Sequence, residues 1–173
     1  MQAYTFWKTV TMDRSDLLDQ VLALLASYDV QYCVIGGQAV NAYVDPVVSL
    51  DLDLVVAVEQ LELVEVELAR RFEVKRFPHS LNVYLSGSDL RVQIQTDPRY
   101  AGFPARAQRK SVLGVELPVA RLEDTVAGKV WAALDPQRRA SKRQKDLADI
   151  ARLLEAYPHL RAQVPDAILA RLV

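Results

Sequence analysis

The chain has 173 residues, 51% of them apolar and 25% charged, which suits one compact domain, or a domain with a small appendage, and excludes wholesale disorder. Its formal net charge of −1 hides a division: residues 1–67 carry Lys8 and Arg14 against eleven acids (net −9), and residues 68–173 carry nineteen Lys or Arg against eleven acids (net +8). Such a chain can hold metal cations with one half and anionic phosphates with the other; two solvated surfaces of opposite sign are the competing reading. Cys33 is the only cysteine, which excludes an internal disulfide and a Cys-rich zinc site. No apolar run approaches the ~20 residues of a membrane span. Met1 to Met12 lack the charged-then-apolar order of a signal peptide, so a soluble cytoplasmic protein is expected.

In chain order, Asp13–Ser27 reads as a helix. Asp13 or Ser15 can cap it, and Leu17, Leu18, Val21, Leu24 and Leu25 form its apolar stripe. Gln31–Ile35 is a short apolar strand running into Gly36-Gly37, and Gln38–Tyr43 can turn once or twice as helix before Asp45-Pro46 stops it. Leu50–Val58 is a second strand, apolar except for two aspartates. Glu59–Phe72 fits a helix with Leu61, Val64, Leu68 and Phe72 on one face. Phe72–Phe77, Leu81–Leu85 and Leu90–Gln95 read as three short strands, the last two joined by the Ser86-Gly87-Ser88-Asp89 turn. Pro98–Pro104 reads as a loop with Arg99 and Arg106 at its margins, and Ser111–Val119 as a hairpin around Gly114. After Pro118 the pattern turns helical: Leu122–Leu134, Ser141–Tyr157 and a last short helix in Val164–Leu172. The expected fold is α/β (α+β): a mixed sheet flanked by helices over residues 1–119, then a small helical part over 120–173.

The chemistry concentrates in Val34-Ile35-Gly36-Gly37-Gln38-Ala39 followed by Ser49-Leu50-Asp51-Leu52-Asp53-Leu54-Val55-Val56. Strand residues i and i+2 share a face, about 6.5–7 Å apart, so Asp51 and Asp53 converge on one side of an apolar strand. Burying two like charges together is costly unless a cation neutralises them. Two such carboxylates can ligate Mg²⁺, which favours a few carboxylates plus substrate phosphates. A solvated strand edge is the plainer reading of the pair alone. Gly36-Gly37 lets backbone approach a phosphate closely at a helix start, or serves as ordinary turn chemistry. The combination of apolar strand, Gly-Gly, short helix and Asp-x-Asp strand is far more specific than either part.

This pattern resembles the nucleotidyltransferase superfamily with the DNA polymerase β-like core. It is most similar to small bacterial AbiEii-type nucleotidyltransferases, and more distantly to the aminoglycoside and lincosamide enzymes. The tail pattern Leu122-Glu123-Asp124, Lys129 and Lys145-Asp146-Leu147-Ala148-Asp149-Ile150 carries the likeness through most of the chain. The resemblance implies transfer of a nucleoside monophosphate from an NTP to a hydroxyl of RNA, protein or a small molecule. Gly36, Gly37 and Ser49 would hold the nucleotide, Asp51 and Asp53 would ligate Mg²⁺ (or Mn²⁺), and Lys129 and Lys145 would neutralise the triphosphate. Asp146 is equally read as a first-turn acid stabilising its helix.

Two positions depart from the family pattern. The family's third acid, on a later strand, falls at Gln93, with Gln95 the alternative on the same face; neither can act as a base. Asp97 shares that face but lies roughly 13 Å further along. Val47 stands where relatives often carry arginine. Attenuated transfer, or an inactive nucleotide-binding or toxin–antitoxin-type module with a cognate protein partner, are therefore alternatives. The cluster Arg138, Arg139, Lys142, Arg143 and Lys145 can bind RNA, hold phosphates or form a solvated linker. Gln38 and Asn41 can touch the nucleotide or sit on a solvated helix face. Cys33, Trp7 and Trp131 read as packing residues, and His79 and His159 as surface histidines.

Overall fold

A computed structural model describes residues 16–172 together with Thr5, Phe6 and Thr9. The reading of Met1–Met12, the caps at Asp13 and Ser15, and Trp7 lie outside the described residues. The elements are α1 (Leu17–Ser27), β1 (Tyr32–Ile35), α2 (Gly36–Asn41), β2 (Asp51–Val56), α3 (Leu61–Arg71), β3 (Glu73–Phe77), β4 (Ser80–Tyr84), β5 (Arg91–Gln95), β6 (Gln108–Val112), β7 (Val115–Val119), α4 (Leu122–Leu134), α5 (Ala140–Ala156) and α6 (Asp166–Leu169).

Seven strands form one mixed sheet in the order β3-β4-β5-β2-β1-β7-β6. β2 is the middle strand, antiparallel to β1 and parallel to β5. The period of two sorts its side chains. Leu52, Leu54 and Val56 enter a large core with Leu81, Val83, Val92 and Ile94 from the neighbouring strands, closed by Leu17–Leu25 of α1 and Val64 and Leu68 of α3. Asp51 and Asp53 face the other way. On that second face only a small cluster is apolar: Cys33, Ile35, Val55, Tyr100, Phe103 and Ala120, with Trp131 packed against it. A third cluster joins α2, α4, α5 and α6 through Val40, Val126, Val130, Ile150, Leu153 and Ile168.

Several boundaries differ from those the sequence suggests. α2 starts at Gly36, so the two glycines form its first turn rather than precede it; Gly36 takes φ +68°, which favours a residue without Cβ. The segment 98–106 contains two 3₁₀ turns, Pro98–Tyr100 and Pro104–Arg106, each started by a proline whose fixed φ suits a first helical position. The last helix is only Asp166–Leu169, because Pro165 sets its start and the preceding residues Pro158–Gln163 form a separate 3₁₀ segment. The segment between α2 and β2 is pinned by one side chain: Asn41 Nδ2 donates to Val47 O at 2.7 Å and its Oδ1 accepts from Val47 N at 3.0 Å.

Leu54 is fully buried at the centre of the sheet, whereas Val66 on α3 is exposed. Leu54→Ala should lower the free energy of unfolding by about 2–5 kcal/mol, and Val66→Ala should stay within about 0.5 kcal/mol of the parent, measured by urea denaturation.

Candidate active site

The second face of the sheet opens into a cavity of about 520 Å³. Its floor comes from β2 and β5, whose parallel register sets Asp51 beside Arg91 and Asp53 beside Gln93. Its opposite wall comes from α4 and α5, which contribute Lys129, Lys142 and Asp146, and from the connection between them, which contributes Arg138 and Arg139.

Gly36 follows β1 as the first residue of α2 and lies directly against Asp53. A Cβ on Gly36 would collide with Asp53 Oδ2 and lie 3.1 Å from its Cγ, so backbone and carboxylate share space that a side chain would fill. Among the described residues, the Asp53 carboxylate makes no hydrogen bond or ion pair. Burial pushes its pKa above the usual aspartate value, and the negative charge of Asp51 adds to the rise. Asp51 behaves oppositely. Burial alone would raise it, but the hydrogen bond and charge of Arg91, with Lys142, outweigh that and hold it below the ordinary value. Arg91 Nη2 donates to Asp51 Oδ2 at 2.6 Å, and Lys142 Nζ donates to the same oxygen at 3.3 Å.

Lys129 is buried on α4 with its Nζ 3.1 Å from Asp146 Oδ1 and 2.8 Å from Asp149 Oδ2. Burial would lower its pKa, but the two carboxylates overcome this and raise it, so Lys129 is a firm cation. Arg138 reaches both oxygens of Asp146, at 2.8 and 3.2 Å. Asp146 is therefore an interior ion-pair partner in the second turn of α5, and not the first-turn acid that the sequence also allowed. At another edge of the cavity, Asp124 is clamped by Arg106 through Nε and Nη2 at 2.9 and 3.1 Å, with Arg121 Nε at 3.2 Å.

The structure thus gathers Gly36, Asp51, Asp53, Gln93 and Lys129 around one cavity, together with Gln95. Gly37, Ser49 and Lys145 do not line it. A Cβ on Gly37 would meet Ser49 Oγ at 3.3 Å, so those two residues pack against each other behind the site. Of the basic cluster, Arg138, Arg139 and Lys142 line the cavity, and Arg143 instead donates to Asp135 O at 2.7 Å. Asp97 pairs with Arg99 at 2.8 Å and is not part of the lining. Gln38 is buried and donates to Ser49 O rather than sitting on a solvated face of α2, while Asn41, half-buried at the end of that helix, holds Val47; neither lines the cavity. Trp131 packs on Tyr100 and Phe103, and Cys33 is fully buried with its thiol pushed up to about 12 by burial. Sequence reasoning missed Arg91 and Asp124. Arg91 was within reach, since it shares the face of Gln93 by parity; the Arg106–Asp124 pair joins segments 18 residues apart and leaves no local signal.

The mixed sheet with its flanking helices is similar in fold to solved nucleotidyltransferases. The antibiotic-resistance factor ANT(2'')-Ia superposes with a TM-score of 0.59 at 17% identity, over 93% of this chain and 94% of that one. An antigenic nucleotidyltransferase-like protein from Paracoccidioides brasiliensis gives 0.54 at 19% identity, over 96% of this chain and 87% of that one. The lincosamide antibiotic adenylyltransferase LnuA, solved with lincomycin, gives 0.51 at 13% identity, over 79% of this chain and 95% of that one. No curated protein matches the sequence. The chain belongs to the AbiEii nucleotidyltransferase family, the "Nucleotidyl transferase AbiEii toxin, Type IV TA system", whose model matches residues 17–173.

The two aspartates should respond to substitution with opposite signs. Folded Asp53 holds its proton more tightly than the unfolded chain does, so its ionisation removes stability as pH rises from the ordinary aspartate value through the folded one. Asp51 contributes stability that is present above the ordinary value and is lost as pH falls through its lowered one. At pH 7 without divalent cations, Asp53→Asn should raise the melting temperature by about 2–4 °C, the equivalent of roughly 1 kcal/mol at this chain length, while Asp51→Asn should lower it by leaving Arg91 and Lys142 unpaired; calorimetry at pH 7 and pH 4 checks both.

Proposed function

We propose that the chain is a metal-dependent nucleotidyltransferase that moves a nucleoside monophosphate from an NTP to a hydroxyl acceptor. The carrying observation is Asp53, a part-buried carboxylate without a protein partner, set against Gly36 and beside Asp51 in a cavity rich in cationic side chains. Carboxylate oxygens of Asp51 and Asp53, with the amide oxygen of Gln93 beside them, are hard donors of the kind Mg²⁺ or Mn²⁺ takes. When bound, the divalent cation supplies charge neutralisation at the α-phosphate and orients it for in-line attack.

The residues of the chain do the rest. Gly36 gives backbone access to the phosphates, and Lys142, Arg139 and Arg138 offer positive charge across the cavity from β2. Lys129, fixed by Asp146 and Asp149, holds a permanent charge in the wall. The acceptor oxygen forms a bond to the α-phosphorus, the bond from that phosphorus to the bridging oxygen breaks, and pyrophosphate leaves with the electron pair. Gln93 stands beside Asp53 where a carboxylate would accept the acceptor's proton, and its amide has no basic site, so the proton passes to solvent or to the leaving pyrophosphate. Loss of a general base removes about 10²–10⁴-fold in rate, so transfer is slow. We take RNA as the acceptor class, on the basic residues Arg138, Arg139 and Lys142 that line the cavity, and a soluble cytoplasmic setting with a cognate protein partner, in keeping with the family's toxin–antitoxin description.

The observation that favours a second reading is the same amide: a nucleotide-binding module that kept the fold and lost the chemistry. The two separate in one experiment. Protein incubated with α-labelled NTPs, Mg²⁺ or Mn²⁺ and total RNA should label RNA above an Asp51→Ala/Asp53→Ala control. Gln93→Asp should raise that rate by about 10²-fold. Absence of label in RNA, in small-molecule acceptors and in the chain itself, with NTP binding retained in calorimetry, establishes the binding module instead.

A further inference from the structure

Asp51 already has its cations. Oδ2 of Asp51 accepts from Arg91 Nη2 on the neighbouring strand and from Lys142 Nζ on α5. Arg91 spends one guanidinium nitrogen on Asp51 and lines the cavity itself, with its Nε buried and unpartnered behind that contact. One step along the same ladder, Gln93 puts a neutral amide beside Asp53. Two adjacent divalent cations repel each other strongly and are held together by shared carboxylates. Here the floor of the site offers two carboxylates, one of them half committed to side-chain cations. Among the described residues no group of three or more His, Cys, Asp or Glu is placed to hold a metal. The other cavity acids are engaged elsewhere: both oxygens of Asp146 are taken by Lys129 and Arg138, both oxygens of Asp124 by Arg106, and Asp135, in the α4–α5 connection, accepts from Gln137 N through Oδ1.

We propose that Arg91 serves as the second cation of this site, so that each bound nucleotide is accompanied by one divalent cation rather than two. This rests on the nucleotidyltransferase reading above. Arg91 is a good substitute in this position. Its charge is permanent, its planar fork can hold Asp51 with one nitrogen and present another to a phosphate or acceptor oxygen, and the parallel β2–β5 register fixes its height beside Asp51. The unpartnered Asp53 carboxylate, with the remaining oxygen of Asp51, is left for the single ion.

Mn²⁺ titration followed by electron paramagnetic resonance counts the ions directly, with the non-hydrolysable α,β-methylene analogues of the four ribonucleoside triphosphates as the nucleotide probe. The wild-type complex should hold one Mn²⁺ with the six-line spectrum of an isolated ion, and Arg91→Lys, which keeps the charge, should do the same. Arg91→Gln combined with Gln93→Asp should hold two, with a spin-coupled spectrum. Arg91→Gln alone should tighten Mn²⁺ binding without nucleotide by about tenfold, because it removes a cation that competes for Asp51; a purely structural arginine would leave the affinity unchanged or weaker. Two coupled ions in the wild type overturn the role of Arg91 and leave the transfer reading standing. No ion and no nucleotide bound overturns both.

Discussion

Gly36 and Asp53 occupy space that allows no second side chain, and the site is organised by that contact. The left-handed φ of Gly36 turns the chain out of β1 into α2 at the level where Asp53 projects from β2. The period of two then fixes Asp51 on the same face, and the sheet order fixes what stands beside them. A carboxylate brought this close to backbone, next to another carboxylate, is an unfavourable place for charge. The fold answers at Asp51 with cations from β5 and α5, and leaves Asp53 unanswered. An unsatisfied charge maintained in the middle of an otherwise well-packed sheet is what a ligand-binding position looks like in energetic terms.

The opposite wall follows a different rule. Lys129, Asp146, Asp149, Arg138 and Arg152 form an ion-pair chain that ties α4 to α5; Arg152 Nη1 donates to Asp149 Oδ1 at 2.8 Å. Buried networks of this kind add little net stability, because desolvation consumes the Coulombic gain, but breaking one partner is expensive. Their consequence is geometric. They fix the spacing between the two helices, and with it the distance from Lys142 to Asp51. The field that Lys129 exerts across the cavity is tempered by its two carboxylates, so the exposed positive charge of this wall is that of Arg139.

What could be read beforehand was whatever the backbone period encodes. The stripe Leu17, Leu18, Val21, Leu24, Leu25 is buried as its spacing implies, and the alternation around Asp51 and Asp53 puts leucines in one core and aspartates in the other space. The same reasoning, carried further, would have distinguished Lys142 from Lys145. Lys142 is four residues before Asp146, hence on its face of the helix, while Lys145 is turned away by about 100° from Asp146. Arg91 was legible by parity with Gln93. The Arg106–Asp124 clamp and the Lys129–Asp146 pair were not, because each joins elements whose approach depends on the packing of the whole second face.

The division of charge along the chain has a similar limit. Five basic and five acidic side chains line the cavity, so its formal total is neutral although its acids Asp51 and Asp53 come from the acidic half and every base from the basic half. Pairing, not composition, gives the site its character. Asp146 consumes Arg138 and part of Lys129, and Asp124 is held by arginines from its own half. After these cancel, the remainder is Asp53 on the floor and cations around it. In the reading proposed above, Asp53 would hold the divalent cation and the cations around it would face the polyphosphate, a charge pattern that neither half of the chain achieves alone.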